Sequence, residues 1–223
     1  MKKMTCFKKV TDSILDLFYP RRCLICGKFI RSFQRLCLCR KCMEKKNLPR
    51  FVRDDEYMFE EAAVVLKYED VVRETMMNFK FNSQIYYGYT FAKIIFDSLG
   101  KDYFPDDRIL CCVPLTASRD RKYNQTAVIL EELAQLLNMT PTCDLLWKSR
   151  DISPISTLGR DERRLMVAGT IGVNPHYDIT GRKVIVIDDI FTTGSTANEC
   201  AKALKINGAD SVKIVCACGP KYE

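Results

Sequence analysis

The run Val184-Ile-Val-Ile-Asp188-Asp189-Ile-Phe-Thr192-Thr193-Gly194-Ser195-Thr196 gathers acids, hydroxyls and a glycine in thirteen residues. Four consecutive β-branched residues read as a buried strand. That strand delivers Asp188 and Asp189 to its C-terminal end, and a short loop then leads into a helix. The C-terminal edge of a parallel sheet is where α/β folds bind their ligands. Successive backbone N–H groups at a helix N-terminus favour a phosphate. Gly194 lets the backbone come close, the hydroxyls of Thr192, Thr193, Ser195 and Thr196 donate further bonds, and the two carboxylates accept from sugar hydroxyls. A site for a 5-phosphate and two ribose hydroxyls accounts for every part. The competing reading is a strand followed by an ordinary capped helix with a surface Asp pair. A Walker loop, which needs G-x-x-x-x-G-K-[ST], is absent.

The second constellation is Cys23-Leu-Ile-Cys26-Gly27 and Cys39-Arg-Lys-Cys42, two C-x2-C pairs with twelve residues between Cys26 and Cys39. Four thiolates from two such pairs close a tetrahedral shell around Zn²⁺ and leave no open position for water or substrate, so the zinc would be structural. Gly27 suits the turn that follows the second sulfur. Cys37 stands close enough in sequence to replace Cys39 as a ligand. Scattered reduced thiols are one alternative and a redox C-x-x-C another; the second fits poorly because neither pair stands at an expected strand-to-helix junction. Cys6, Cys111, Cys112, Cys143, Cys200, Cys216 and Cys218 have mostly apolar neighbours and read as buried structural thiols.

Composition narrows the chemistry further. The 223 residues include 12 cysteines and one histidine, His176, and carry a net charge of +7. A His-rich metal centre is impossible, and a Ser-His-Asp mechanism would rest on a single residue. The charge is uneven: residues 1–50 hold 14 basic and 3 acidic side chains, or +11, which leaves −4 for the rest. A basic first quarter on a mildly acidic body points to two units with different partners. No apolar run approaches the length of a membrane span. Lys8, Lys9, Asp12 and Asp16 break any signal-peptide pattern. A cytoplasmic location is therefore expected, where disulfides are rare.

The elements that must position these groups follow from periodicity. Residues 5–19 read as an amphipathic helix, stopped by Pro20 and docked on its own protein or lying on a membrane surface. Residues 21–50 lack any regular period, as a small metal-stapled module would. Residues 51–60 read as an acidic connector. Strands are expected over 62–68, 108–113, 183–187 and 212–217. Helices are expected over 71–81, 86–99, 124–137 and 196–207, the last closed by Gly208. Residues 148–170 read as polar and irregular. Alternating strands and helices imply an α/β fold with a mostly parallel sheet flanked by helices. The expected organisation is a helix at 1–20, a four-cysteine zinc ribbon at 21–50 and the α/β domain at 58–223.

The acidic–threonine run resembles, nearly residue for residue, the phosphoribosyl pyrophosphate (PRPP) signature of type I phosphoribosyltransferases. The paired C-x2-C ribbon, the lead-in Leu17-Phe-Tyr-Pro-Arg-Arg-Cys23 and the C-terminal position of the signature together resemble the ComF family, competence-associated bacterial proteins and their gluconate-utilisation relatives. Further matches are Leu66-Lys67-Tyr68, Lys80-Phe81, Val113-Pro114-Leu115, Asn124-Gln125, Arg150 and Glu162-Arg163. The resemblance covers almost the whole chain. Departures fall where pyrophosphate and acceptor are expected: Arg121-Lys122-Tyr123-Asn124-Gln125 stands for the usual Arg-Gly-Phe-Asn-Gln, Ile155 for Gln and Met166 for Asn.

The resemblance implies a type I phosphoribosyltransferase-like domain that binds PRPP with Mg²⁺. The 5-phosphate would lie in Thr192–Thr196 and the ribose hydroxyls on Asp188 and Asp189. Arg119 is the first candidate for the departing pyrophosphate, Arg121 and Lys122 the next, and Arg150 and Arg163 would belong to a mobile cover. It also implies a part in DNA uptake during natural competence, with competence-machinery proteins and single-stranded DNA as partners. Turnover, with transfer of phosphoribosyl to an acceptor, is one outcome. A non-catalytic single-stranded-DNA-binding protein or a scaffold that keeps the PRPP pocket is the other. Phe29, Phe33 and Phe51, near the basic residues, are candidates for stacking on bases.

Overall fold

The computed structural model describes residues 21–30, 35–45, 47–115, 123–148 and 169–220. The expected 5–19 helix, Phe33, Arg119, Arg121, Lys122, Arg150 and Arg163 lie outside the described residues.

Five parallel strands and one antiparallel edge strand form the central sheet. They are β1 (Arg50–Val52), β2 (Glu61–Lys67), β3 (Arg108–Cys112), β4 (Pro141–Thr142), β7 (Lys183–Ile190) and β8 (Ser211–Gly219), in the order β1-β2-β8-β7-β3-β4. Within this sheet the β1–β2 pair alone is antiparallel. Two further short strands, β5 (Leu146–Lys148) and β6 (Ile171–Val173), pair with each other outside this sheet. β7 lies between β8 and β3, so Val184–Ile187 are fully buried, as an interior strand of a parallel sheet requires.

The helices are the one-turn α1 (Arg40–Met43), α2 (Asp70–Phe81), α3 (Tyr87–Leu99), α4 (Gln125–Leu137) and α5 (Ser195–Ile206). On one face of the sheet, α2, α3 and α4 bury Met76, Phe79, Phe91, Ile95, Ile129 and Leu133 against Ile185, Ile187 and Val215. On the other face, α5 buries Ala197, Cys200, Ala201 and Leu204 against Val184, Val186 and Ile214. The odd and even residues of β7 thus serve two different cores. α3 and α4 approach closely at Gly88, where a Cβ would stand 2.4 Å from Val128 Cγ1.

Helix ends follow local chemistry. Asn124 caps α4, its side chain accepting from the Thr126 N–H at 3.0 Å. Asn138 closes α4 in the left-handed region, φ 58°. After α5, Gly208 (φ 93°) donates to Lys205 and Ala209 donates to Leu204, both at 3.0 Å, a Schellman closure.

Several expected boundaries shift. β7 runs to Ile190 rather than ending at 187, because β8 supplies partners as far as Ile190↔Cys218. The connector begins as the edge strand β1, since Arg50, Phe51 and Val52 find the free side of β2. The short β4, β5 and β6 carry no period long enough to read from sequence. The 21–50 segment is not helix-free: Cys39 precedes the turn α1, with Cys42 N–H donating to its carbonyl at 2.9 Å. Among the described residues, no helix is long and apolar enough to cross a membrane.

Candidate functional site

The acidic–threonine run sits at the C-terminal edge of the parallel sheet. Asp188 and Asp189 are the sixth and seventh residues of β7, both 8% exposed. Strand alternation sends them to opposite faces, Asp188 towards the α5 side and Asp189 towards the α2 side. Asp188 Oδ1 accepts the Asp189 N–H at 2.8 Å. On the α2 side, Lys80 Nζ lies 2.9 Å from Asp189 Oδ1, with both side chains 11% exposed. The loop then passes through exposed Thr192 and half-buried Thr193 to Gly194, and Ser195 opens α5. Thr193 Oγ1 and Ser195 Oγ share a hydrogen bond of 2.8 Å. The first-turn N–H groups of α5 have no acceptor inside the helix, which leaves them directed at the loop's mouth.

Gly194 has two structural reasons to be glycine. Its φ is +73°, and a Cβ would meet Phe191 Cζ and Tyr57 Cζ at 3.0 Å. Tyr57 comes from the connector. Its hydroxyl donates to the Thr193 carbonyl at 3.0 Å, and the next N–H, of Met58, donates to Asn198 Oδ1 at 2.7 Å. The Tyr57 ring stacks on Phe59 at 4.5 Å between centroids, and Phe59 meets Phe191 edge-on at 6.4 Å. The segment before β2 therefore braces the loop from outside the run itself. Composition gave no sign of this, because an acidic stretch reads as linker.

The strand β3 ends beside the same mouth. The Val113 carbonyl accepts from Thr126 Oγ1 at 2.8 Å and from Asn124 Nδ2 at 3.2 Å, which fixes the start of α4 against the end of the strand. Tyr123 donates its hydroxyl to the Phe79 carbonyl, tying the residues before α4 to the end of α2. Lys80 and Tyr123 were legible only as family matches or as loop residues.

The cysteine constellation also assembles. The sulfurs of Cys23, Cys26, Cys39 and Cys42 all lie within 4.8 Å of one another, and Cys26 and Cys39 are 3.7 Å apart. A tetrahedral Zn²⁺ with bonds of about 2.3 Å requires sulfurs about 3.8 Å apart, so the set fits that ion. Gly27, φ +70°, closes the first knuckle with its N–H on the Cys23 carbonyl at 2.9 Å. The Cys42 backbone N–H, directed at the Cys39 sulfur, brings that thiol down to about 7. Burial pushes Cys23 and Cys42 up. Cys37 takes no part. It is buried in the main core, where its N–H donates to Thr90 Oγ1 of α3 at 2.9 Å and burial raises its thiol. Cys23, Leu24, Leu38 and Cys42 join the same apolar cluster as Phe91 and Ile95, so this module is seated on α3.

Cys111, Cys200, Cys216 and Cys218 are buried, and burial holds their thiols well above the ordinary value, consistent with a packing role. Cys112 is likewise pushed up to about 12 by burial, while Cys143 is only half-buried. His176 lies on an exposed turn, its N–H on Asn174 Oδ1. Cys6 lies outside the described residues.

DNA utilization protein YhgH of Escherichia coli O157:H7 is 30% identical over 114 residues, 50% of this chain and 49% of that protein. Competence protein F of Haemophilus influenzae is 23% identical over 167 residues, 71% of this chain and 72% of that protein. The match to YhgH thus spans about half of the length of that relative. Among solved structures, a hypoxanthine phosphoribosyltransferase from Staphylococcus aureus aligns at 17% identity with a TM-score of 0.40, covering 63% of this chain and 69% of that one. The family model for the phosphoribosyl transferase domain matches residues 86–222, from the start of α3 to beyond β8. The chain therefore belongs to the phosphoribosyl transferase domain family and is a relative of competence protein F and YhgH.

Proposed function

We propose that this chain binds PRPP at the C-terminal edge of its sheet and serves DNA uptake, transferring phosphoribosyl to an acceptor with release of pyrophosphate. The observation that carries the reading is the junction of β7, the Thr192–Thr196 loop and α5. It puts two buried carboxylates, one on each face of the strand end, and a helix N-terminus at the same edge of the sheet. The 5-phosphate takes the N–H groups of Gly194, Ser195 and Thr196 and the hydroxyls of Thr192 and Thr193. Asp188 and Asp189 accept from the ribose hydroxyls. As the bond from C1 to the pyrophosphate oxygen breaks, positive charge grows at C1 and negative charge on the leaving group. Arg119, with Arg121 and Lys122 next, is the candidate to receive that negative charge.

The acid pair also suits Mg²⁺, because hard oxygen donors beside a phosphate site are what that ion takes. When bound with PRPP, Mg²⁺ supplies charge neutralisation on the departing pyrophosphate. DNA uptake enters from the relatives, one named for competence and the other for DNA utilization. The four-cysteine module is read as a structural zinc ribbon over 21–50, ahead of a domain from residue 58. Tyr57 then stands on the boundary between the two. The free thiols among the described residues suit the cytoplasm.

Calorimetric titration with PRPP and Mg²⁺ tests the pocket. The wild-type chain binds and a variant carrying Asp188→Ala and Asp189→Ala does not; equal affinity in the two refutes the reading. Pyrophosphate release measured across bases, amines and oligonucleotides then separates turnover from binding alone.

A second reading, single-stranded-DNA binding without turnover, draws on a separate observation. Arg22 lies over the Phe29 ring at 4.8 Å, Arg21 over Tyr86 at 4.7 Å and Arg35 over Tyr89 at 4.1 Å. Phe29 is 64% exposed. Arginine beside an exposed ring is the pairing that holds a nucleotide backbone and stacks a base. Exchange of Phe29 and Arg22 for alanine lowers oligonucleotide affinity and flattens its salt dependence if this face is the site. Unchanged affinity and slope remove it.

A further inference from the structure

The buried partner of the acid pair is the part of the site that its sequence run does not contain. Lys80 stands in the last turn of α2, whose other face buries Val72, Thr75, Met76 and Phe79. With that face fixed in the core, the Lys80 amine reaches Asp189 at 2.9 Å across 109 residues of sequence. Both partners are almost enclosed, at 11% exposure. A pair so placed is shielded from the solvent that makes surface ion pairs weak. The same helix end is held from the other side by the Tyr123 hydroxyl on the Phe79 carbonyl.

We propose that Lys80 is a positioning residue: its ammonium holds the Asp189 carboxylate already partnered, so that this end of the sheet does not take up a divalent cation by itself. The charges make the case. The Lys80 amine and the Asp189 carboxylate, 2.9 Å apart, carry no net charge together, whereas Asp189 without the amine presents a full negative charge. A Mg²⁺ ion, which sheds its water reluctantly and is held through one or two carboxylates plus substrate phosphates, gains too little from a carboxylate that an amine already neutralises. It enters with an anionic phosphate substrate that supplies the remaining oxygens. Lys80 thereby makes metal and substrate arrive together, and the empty site stays closed to free metal. The substrate named here rests on the PRPP reading above.

The test uses the full chain with its cysteine site loaded and follows free Mn²⁺ by electron paramagnetic resonance, without PRPP. Wild type shows no tight Mn²⁺ site. Lys80→Met and the neutral, similarly sized Lys80→Gln each bind Mn²⁺ on the order of tenfold or more tightly, because a positive charge within a few ångströms has gone. Lys80→Arg restores the wild-type result. Adding Asp189→Asn to Lys80→Gln abolishes the gain. A merely structural lysine would change thermal stability but leave Mn²⁺ affinity alone. Equal Mn²⁺ affinity in wild type and in whichever of the two neutral variants folds overturns the proposal, as does a gain that survives Asp189→Asn. Failure of wild type to bind PRPP with Mg²⁺ overturns the substrate reading instead, and leaves the Mn²⁺ comparison standing.

Discussion

Replacing Gly194 with alanine isolates what the phosphate-type loop demands of its backbone. The glycine holds φ +73°. An alanine held in the left-handed region costs about 1–2 kcal/mol. The new Cβ also meets Tyr57 and Phe191 at 3.0 Å, so one ring must shift. Tyr57 is the side chain with most to lose, since its hydroxyl bond to the Thr193 carbonyl goes with the ring. That loss adds about 0.5–1.5 kcal/mol. A less flexible unfolded chain returns about 0.4–1 kcal/mol. The net is destabilisation of about 0.5–3 kcal/mol, or a fall in melting temperature of about 1–12 °C for a chain of this size. Thermal unfolding followed by circular dichroism reads it, and the Tyr57→Ala background divides it. With the ring gone, the Tyr57 share disappears while the Phe191 contact and the backbone share stay, so Gly194→Ala costs about 1 kcal/mol less there. An equal cost in both backgrounds would falsify the contact argument. A cost near zero in both would dispose of the backbone argument as well.

Other perturbations read other parts of the molecule. Elemental analysis of purified protein should give one zinc per chain; Cys39→Ser should lose it and Cys37→Ser should keep it, since only Cys39 stands in the four-sulfur cluster. Asn124→Ala removes both the cap of α4 and a donor to the Val113 carbonyl, and should cost about 1–2 kcal/mol in denaturant unfolding. Gly88→Ala should be more damaging than Gly194→Ala, because its Cβ would stand 2.4 Å from Val128, and Val128→Ala in the same chain should restore much of the loss.

Glu61 is 5% exposed, and it accepts from Lys213 at 2.8 Å and from Arg53 at 2.6 Å. Burial would raise its carboxyl, but the hydrogen bonds from Lys213 and Arg53 outweigh it and the net shift is downward from 4.5. A lowered pKa means that the native state favours the ionised form. The contribution is therefore complete above the unfolded value and fades as the pH falls through the folded one. Denaturant unfolding should show a constant stability gap between wild type and Glu61→Gln near neutrality, narrowing as the pH drops below 4.5. A gap that widens in acid refutes this account.

Local signals made the site's main parts readable. Four β-branched residues, two acids and a Thr-Thr-Gly-Ser-Thr turn make a strand, a loop and a helix start whatever surrounds them, because each preference acts within a few residues. Two C-x2-C pairs likewise bring their sulfurs together through their own turns. The alternation that marks α2 to α5 fixed the fold class for the same reason. Boundaries were less legible where the neighbour decides. β7 runs on through both aspartates because β8 offers a ladder as far as Cys218, and this is what separates the two carboxylates onto opposite faces.

Side-chain partners were the least legible part, since they depend on which surfaces the packed elements bring together. Lys80 reaches Asp189 across 109 residues, Tyr57 reaches Thr193 across 136, and Cys37 finds Thr90 across 53. Nothing in the local run around Cys37 distinguishes it from Cys39 as a ligand; the helix beneath it does, by claiming its N–H and enclosing its thiol. The order of residues alone established the chemical groups, their short-range arrangement and the family to which they belong. Packing settled which charge each group faces, because burial and opposing charge arise only where distant segments meet.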